Sequence, residues 1–316
     1  MGLQRGILMS LHRLTSVTIG VPNVEETAAY YRDFGLSANG DGTFHTQDGG
    51  EQLTLVHADR RRLVQLSLGA DDSDDLDRIT SQLRHIDVDV ERMPSSVQTR
   101  DPGTEVQVVV EIAPRVEQPS LPATPYNGPG RNERLNGRAP VCERDVPIQP
   151  RKLGHAVMGV ADLASSRKFF LEGIGFKVSD EVTGLGAFLR CSTDHHNLLL
   201  LSAPLNFLHH TSWQVDDVDE VGRGAMNMLE DHPERHVWGL GRHYIGSNFF
   251  WYLRDPAGNF TEYYSDMDCI VDDQLWKPEV FDAGPKSLFS WGPPPPPSFI
   301  LPEDLAAHMV GAHSSR

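Results

Sequence analysis

The segment Arg13-Leu-Thr-Ser-Val-Thr-Ile-Gly-Val-Pro-Asn-Val24 occurs a second time, in altered form, as Lys152-Leu-Gly-His-Ala-Val-Met-Gly-Val-Ala-Asp-Leu163. Both copies begin with an apolar strand that ends near Gly-Val. An asparagine follows the strand in one copy and an aspartate in the other, and both residue types favour the N-cap of a helix. Each half of the chain therefore begins with a strand that leads into a helix.

The similarity continues into the helices that follow. The helices predicted over 25–34 and 164–174 each contain two adjacent aromatic residues. They end at Gly35 and Gly175, because glycine readily adopts the left-handed conformation that closes a helix. Agreement over this length indicates a true internal repeat rather than chance similarity.

A second strand and helix follow in each half, with the helix predicted over 74–83 in the first half and over 218–229 in the second. Short apolar segments after each helix favour further strands. Each half therefore reads as two successive units of strand, helix and several strands. This pattern predicts an α+β fold built from paired βαβββ modules.

Prolines mark the ends of the two halves. Eight prolines fall within residues 113–150, which predicts a partly extended linker between a first domain over 1–112 and a second over 151–271. The segment 272–316 contains five consecutive prolines and is expected to wrap over the second domain as a tail.

Composition limits the classes of function. Of the 316 residues, 39% are apolar and 23% are charged, as is typical of globular proteins. The formal net charge of −16 argues against nucleic acid and against an anionic membrane as partners. No apolar run reaches the roughly 18–20 residues of a membrane span. Only three cysteines occur and none forms a Cys-x-x-Cys pair, so we expect a cytoplasmic protein without disulfides.

Three side chains of the second half are predicted to share one face of a sheet. His155 lies on the first strand of this half, and Leu208 sets the same phase for His210, because side chains alternate along a strand. His209 is then expected to face the other way, although a slip of one residue would exchange it with His210. The third side chain is Glu262.

Glu262 belongs to a predicted hairpin whose turn is Asp255-Pro-Ala-Gly-Asn259. Pairing Arg254 with Phe260 across this turn places Tyr252 directly opposite Glu262, about 5 Å away on the same face. A glutamate on a face that otherwise suits a core needs a partner, and a metal ion supplies one.

Two histidines and one carboxylate with open coordination positions form the facial triad of non-haem iron(II) oxygenases. The sequence therefore predicts an iron(II) site at His155, His210 and Glu262, although the same ligands also suit manganese(II). A single anionic ligand leaves the site with net positive charge. It should therefore attract an anionic bidentate oxygen ligand such as a catecholate.

The second half resembles the type I extradiol dioxygenases of the vicinal oxygen chelate superfamily, and the repeat and linker extend the resemblance over nearly the whole chain. It is carried by the hairpin from Tyr252 to Glu262, by a histidine nineteen residues before the glutamate (His243), and by the pair His195-His196. The resemblance implies two glyoxalase-like domains.

The resemblance also implies a reaction. With iron(II) on the three ligands, a catecholic substrate and dioxygen would give a ring-opened product, in the degradation of aromatic compounds. His196 would act as acid and base, with His195 as the alternative for this role. Tyr252 and His243 would hydrogen-bond the substrate oxygens. A homo-oligomer is expected.

The first half lacks the ligands. Alignment of the two repeats places Ser16 and Gln65 where the two histidines lie, and Gln107 or Val108 where the glutamate lies. We therefore expect the first half to be a structural copy without metal.

Two other classes of protein remain open at the level of sequence. A glyoxalase-like isomerase or an epoxide-opening transferase of the same superfamily would use similar ligands, usually taken from both halves of a site. A non-catalytic binding protein of the same fold would not need an acid and base histidine. The empty first half, together with His196, His243 and Tyr252, favours the dioxygenase.

Overall fold

The computed structural model describes residues 11–300 together with residues 302 and 304. The outer ends of the predicted first domain and of the predicted tail, residues 1–10 and the remainder of 301–316, lie outside this part. The described chain forms two mixed β-sheets with helices packed against them, which confirms the α+β prediction.

Eight strands of the first half form one sheet. In chain order they are β1 (Leu11–Val21), β2 (Ser37–Ala38), β3 (Thr43–Thr46), β4 (Gly50–His57), β5 (Arg62–Ala70), β6 (Val90–Met93), β7 (Ser96–Arg100) and β8 (Gln107–Ile112). Their order across the sheet is β2-β3-β4-β1-β5-β8-β7-β6. The strands that begin the two modules, β1 and β5, are antiparallel neighbours at the centre.

The second sheet repeats this plan and adds one strand. Its strands are β9 (Lys152–Val160), β10 (Lys177–Val182), β11 (Gly186–Arg190), β12 (Leu198–Ser202), β13 (Phe207–Gln214), β14 (His236–Arg242), β15 (Phe249–Arg254), β16 (Phe260–Ser265) and β17 (Val280–Phe281). Their order is β14-β15-β16-β13-β9-β12-β11-β10-β17. The central pair β9 and β13 again begins the two modules, so the paired βαβββ arrangement is confirmed.

One helix follows the first strand of each module. The α-helices are α1 (Val24–Asp33), α2 (Ser73–His85), α3 (Leu163–Lys168), α4 (Val218–Leu229) and a short α5 (Pro297–Ile300) in the tail. Short 3-10 helices lie at Pro140–Cys142, Pro233–Arg235 and Pro285–Ser287. The bounds predicted for α4 are those observed. The helix predicted over 164–174 instead consists of α3 and a π-helical segment, Phe169–Ile174.

The ends of the helices agree with the sequence patterns, with one exception. Gly35 and Gly175 have positive φ angles of 95° and 96°, as predicted for helix ends. Asp162 caps α3 by accepting a backbone hydrogen bond. Asn23 does not cap α1 with its side chain, contrary to the prediction. Its amide donates instead to the Pro256 carbonyl of the second half, at 3.1 Å.

The two halves share one continuous apolar core. Phe34, directly after α1, stacks on Tyr263 of β16 with ring centroids 3.9 Å apart, and the Tyr263 hydroxyl donates to the Phe34 carbonyl. Tyr31 packs edge-on against Trp213 of β13. Because Tyr263 is the sequence neighbour of Glu262, their side chains point to opposite faces of the sheet. The first half therefore packs on the face that lies away from Glu262.

The linker and the tail both contact the second half. Arg144 of the linker donates to Asp217 at the start of α4, at 3.1 Å. In the tail, β17 pairs with β10, and the carbonyl of Pro293 accepts a hydrogen bond from the Trp238 indole at 2.7 Å. Within the described residues, none of the helices combines the length and the hydrophobicity that a membrane-spanning segment requires.

Candidate metal centre

Three adjacent strands carry the predicted metal ligands. His155 of β9 lies opposite Ser212 of the antiparallel strand β13. Ser212 is level with Glu262 of the parallel strand β16, and His210 lies two residues before Ser212. The hairpin has the register predicted from its turn, with Tyr252 opposite Glu262. Strand pairing therefore brings the two histidines and the glutamate to one place.

The ligand atoms of His155, His210 and Glu262 all lie within 4.8 Å of one another. Glu262 Oε2 is 3.0 Å from His155 Nε2 and 3.6 Å from His210 Nε2. Glu262 Oε2 and His210 Nε2 are both buried without a hydrogen-bond partner. A buried charge without compensation costs several kcal/mol. Two imidazole nitrogens and a carboxylate around such a point fit a divalent metal ion of the first transition series.

Neighbouring groups set the protonation states of the ligands. Burial by itself raises the pKa of Glu262, but the charge and the close ring nitrogen of His155, followed by His243, hold the net pKa below its usual value. Burial, followed by the neighbouring His209, lowers the pKa of His210 well below the usual imidazole value. The site thus offers an ionised carboxylate and a neutral imidazole, which are the forms that bind a metal.

A bulge in β13 corrects the predicted orientation of His209. Leu208 pairs with Met158 and His210 pairs with the adjacent Val157, so His209 is an extra residue on its strand. Its ring does not face away from His210, because the two Nδ1 atoms are 2.7 Å apart. The prediction was wrong because it assumed strict alternation, which a bulge interrupts.

His196 borders the same cavity, and its ring centroid lies 4.3 Å from that of His155. His195 is fully buried behind it: its Nε2 is 2.9 Å from the Asp180 carboxylate and its Nδ1 is 3.1 Å from Nδ1 of His196. Since a carboxylate only accepts, His195 carries its proton on Nε2, and in its neutral form it accepts from His196 at Nδ1. The Nε2 lone pair of His196 is then left free.

Burial, followed by the nearby histidines, lowers the pKa of His196 well below its usual value. The neutral side chain can therefore accept a proton from a group in the cavity. Of the two histidines considered for the acid and base role, His196 lines the cavity and His195 does not.

His243 and Tyr252 lie side by side at the cavity wall. The Tyr252 hydroxyl is 2.9 Å from His243 Nε2, and His243 Nδ1 hydrogen-bonds the Leu288 carbonyl of the tail. The carbonyl accepts, so Nδ1 carries the proton and Nε2 accepts from Tyr252. Burial, followed by the charge of Glu262, raises the pKa of Tyr252 well above its usual value, which keeps its hydroxyl protonated.

Five of these side chains line a cavity of about 250 Å³, namely His155, His196, His210, His243 and Tyr252, whereas Glu262 is fully buried and does not line it. Its remaining wall is mainly apolar and comes from β9 to β13, the segment after His243, and the tail. The apolar residues include Val182, Leu185, Phe188, Leu199, Phe207 and Ile245. Among the described residues, no lysine, arginine, aspartate or glutamate lines this cavity.

Within the described residues, the first half has no equivalent of the triad. Ser16 and Gln65 occupy the positions of the two histidines in the strand pairing. The pairing of β5 with β8 places Val109 at the position of the glutamate, which corrects the prediction of Gln107 or Val108. The prediction was wrong because six residues, 101–106, separate the paired Arg100 and Gln107, one more than separate Arg254 from Phe260.

Sequence reasoning missed two polar residues that support the site. Asn248 is fully buried and donates to Glu262 Oε1 at 3.1 Å. Asp180, on β10, accepts a hydrogen bond from His195 Nε2. Asn248 lies just before the predicted hairpin strand, so a polar residue at that place was a usable signal. Asp180 gave no such signal, because β10 and the His195-His196 pair meet only in the folded sheet.

A metal site on a sheet formed by paired βαβββ modules is the arrangement that defines the vicinal oxygen chelate class of enzymes. The family model described as "Glyoxalase/Bleomycin resistance protein/Dioxygenase superfamily" matches residues 152–263 of the chain. This match covers all three predicted ligands and both residues of the Tyr252–Glu262 pair.

Comparison with individual proteins defines the family. The chain is 30% identical to metapyrocatechase 2 of Cupriavidus necator over 302 residues, which cover 92% of both proteins. It is 23% identical to the manganese-dependent 2,3-dihydroxybiphenyl 1,2-dioxygenase of Geobacillus genomosp. 3, over 83% of this chain and 87% of the relative. The chain belongs to the extradiol dioxygenases of the vicinal oxygen chelate superfamily and is an enzyme of that kind.

A solved structure agrees with this fold. The Mn(II)-bound glyoxalase from Novosphingobium aromaticivorans superposes with a TM-score of 0.72 at 25% sequence identity, over 92% of this chain and 94% of the other. The superfamily therefore contains a protein of closely similar architecture that binds manganese.

Proposed function

We propose that this extradiol dioxygenase binds iron(II) through His155, His210 and Glu262 and opens the ring of an uncharged, apolar catechol with dioxygen. The metal assignment rests on the close approach of these three side chains. Their ligand atoms lie within 4.8 Å of one another in a buried site where Glu262 Oε2 and His210 Nε2 lack hydrogen-bond partners.

Bound iron(II) would supply a Lewis-acidic and redox-active centre for the catechol oxygens and for dioxygen. His196, with its free Nε2 lone pair, takes the proton from a catechol hydroxyl and later returns it to a product oxygen. In the substrate-free site the single hydroxyl proton of Tyr252 points to His243 Nε2. When a catechol binds, Tyr252 would turn this proton to a substrate oxygen. The apolar wall excludes water from the reacting atoms.

The lining of the cavity supports the choice of substrate. A carboxylate-bearing catechol would need a cation in the wall, and none lines the cavity in the described part of the chain. Apolar side chains on β10 to β12 line the cavity beside the histidines. We therefore expect alkyl- or aryl-substituted catechols to be preferred over charged ones, because apolar contact is gained without desolvation of a charge.

Manganese(II) is the alternative metal. The same ligand set suits both ions, and one of the relatives is named as manganese-dependent. Loading of the metal-free protein with either ion, followed by the turnover of each form, separates the two.

We also propose that successive segments of the chain have different roles. Residues 151–271 form the catalytic domain, residues 1–112 a structural domain without metal, 113–150 the linker and 272–316 the tail. Ser287, Leu288, Phe299 and Ile300 of the tail complete the cavity wall. This is supported by the position of the ligands and by the absence of a triad in the described part of the first half. The three cysteines, all free, support the expected cytoplasmic setting.

The test is metal content after anaerobic loading with iron(II). We expect about one ion per chain, lost in His155→Ala, His210→Ala and Glu262→Ala. Ser16→Ala, which changes the equivalent position of the first half, is the matched control and should keep the ion. Full occupancy in all three ligand variants would rule out this site.

The substrate class is tested separately with the loaded enzyme. Oxygen uptake and the absorbance of the ring-opened product are followed with catechol, 3-methylcatechol, 2,3-dihydroxybiphenyl and the charged protocatechuate. Higher kcat/KM for protocatechuate than for the apolar compounds would contradict the proposed substrate.

A further inference from the structure

We propose that His209 is a positioning residue: held by the carbonyl of Phe299 in the tail, it fixes the tautomer of His210 so that Nε2 is free for the metal. This inference rests on the proposed function, because it assumes that His210 is a metal ligand. It gives the bulge in β13 and the C-terminal tail a role in metal binding.

The hydrogen bonds of His209 define which of its nitrogens carries a proton. Its Nε2 is 2.6 Å from the carbonyl oxygen of Phe299. A carbonyl oxygen can only accept, so His209 Nε2 must carry the proton and donate it. The neutral ring then has a lone pair at Nδ1.

The proton position on His209 determines which nitrogen of His210 carries a proton. The Nδ1 atoms of the two rings are 2.7 Å apart, so one of them must donate to the other. Because His209 offers a lone pair at Nδ1, His210 must carry its proton on Nδ1. Its Nε2 is then unprotonated, and this is the atom that lies 3.6 Å from Glu262 Oε2. Without the acceptor, His210 would also populate the tautomer with a proton on the metal-binding nitrogen.

The surroundings hold His209 in this position. Its side chain is 3% exposed and packs edge-on against the rings of Phe260 and Phe299, with centroids 5.4 Å and 4.9 Å away. Arg61, on the segment before β5 in the first half, donates to the Leu208 carbonyl at 2.6 Å, directly before the bulge. The bulge is thus fixed from both sides, by the first half and by the tail.

Two variants separate the hydrogen bond from the packing. His209→Leu fills the space but removes both hydrogen bonds. His209→Gln places an amide oxygen and an amide nitrogen on one carbon, so it can accept from His210 and donate to Phe299. We expect the affinity for iron(II), measured anaerobically by chelator competition, to fall by about 10- to 100-fold in His209→Leu. Most of this loss should be recovered in His209→Gln.

A second measurement does not depend on a variant. In protein loaded with diamagnetic zinc(II), nitrogen-15 chemical shifts of the histidine rings report the tautomers. We expect a proton on Nε2 of His209 and on Nδ1 of His210. A proton on Nδ1 of His209 would overturn the proposal, as would an unchanged iron affinity in His209→Leu.

His155→Ala distinguishes failure of this inference from failure of the proposed site. If His155→Ala loses the metal while His209→Leu binds it as tightly as the unaltered protein, only the role of His209 is wrong. If His155→Ala still binds the metal, the proposed function itself is wrong.

Discussion

At the scale of single residues, two pairs of neighbouring histidines have the same internal arrangement. In His195-His196 and in His209-His210 the Nδ1 atoms face each other, at 3.1 Å and 2.7 Å. The first member of each pair is anchored at Nε2 by an acceptor, the Asp180 carboxylate or a tail carbonyl. Each anchored ring thus leaves its neighbour with a free Nε2, in one pair for the proposed proton transfer and in the other for the proposed metal ion.

His196→Ala should keep the metal and lose most of the activity. His196 does not belong to the ligand set, and removal of a general acid and base typically lowers the rate by about 10²–10⁴-fold. Metal content and ring-cleavage turnover are measured on the same preparation. His232→Ala, in an exposed loop, is the control and should retain full turnover. An unchanged rate in His196→Ala would show that another group moves the proton.

Much of the site was predictable at this scale, but part of it was not. Strand phase and the hairpin spacing selected the three ligand candidates, because alternation and register are local properties. The position of His209 was mispredicted because a single extra residue in a strand leaves no trace in an apolar pattern. Asp180 and the Phe299 carbonyl could not be found, since both reach the histidines from segments distant in the chain.

At the scale of elements, the hairpin of β15 and β16 depends on one buried carboxyl group. Asp255 accepts hydrogen bonds from the backbone of Ala257 and from the backbone and side chain of Asn259. Its burial nevertheless raises its pKa to about 6. Since Glu262 lies on the second strand, the geometry of this turn sets the position of a proposed metal ligand.

The stability of the protein should therefore depend on pH through Asp255. A carboxyl whose pKa is raised on folding favours the folded state while it is protonated, and this contribution is lost as the pH rises from about 4 through 6. We expect unaltered protein to lose on the order of 2 kcal/mol across this range relative to Asp255→Asn. Urea unfolding at several pH values provides the measurement. Parallel pH profiles of stability for the two proteins would contradict this prediction.

Element types and bounds were the most predictable part of the fold. The repeat and its glycines located all four module helices, because helix signals are local. The π-helical segment Phe169–Ile174 was not predicted, and neither was the tail strand β17. Strand β17 has only two residues and forms by pairing with β10, so its pattern alone is too short to indicate a strand.

At the scale of the whole molecule, the first half supports the sheet that carries the three proposed metal ligands. Phe34 stacks on Tyr263, the Tyr30 hydroxyl contacts Thr261, and Arg61 hydrogen-bonds β13 at Leu208. These contacts lie on or beside the strands that carry Glu262 and the two histidines. Sequence patterns predicted the two halves but not their packing, because nothing in either pattern records which faces meet.

Phe34→Ala should lower the free energy of unfolding of the whole protein. Phe34 is fully buried in the contact between the halves, and removal of a buried phenylalanine side chain costs about 3–5 kcal/mol. Denaturant unfolding measures the loss. Leu135→Ala is the control, since this linker side chain is 75% exposed and its loss should have little effect. Equal stability of the two variants would show that the halves are not coupled through this contact.

The central claim is the location of the metal, and anomalous diffraction at the iron absorption edge tests it most directly. Crystals of protein loaded anaerobically with iron(II) should show one strong peak per chain, in contact with His155 Nε2, His210 Nε2 and the Glu262 carboxylate. The first half should show none beside Ser16 and Gln65. A principal peak at any other set of side chains would contradict the account.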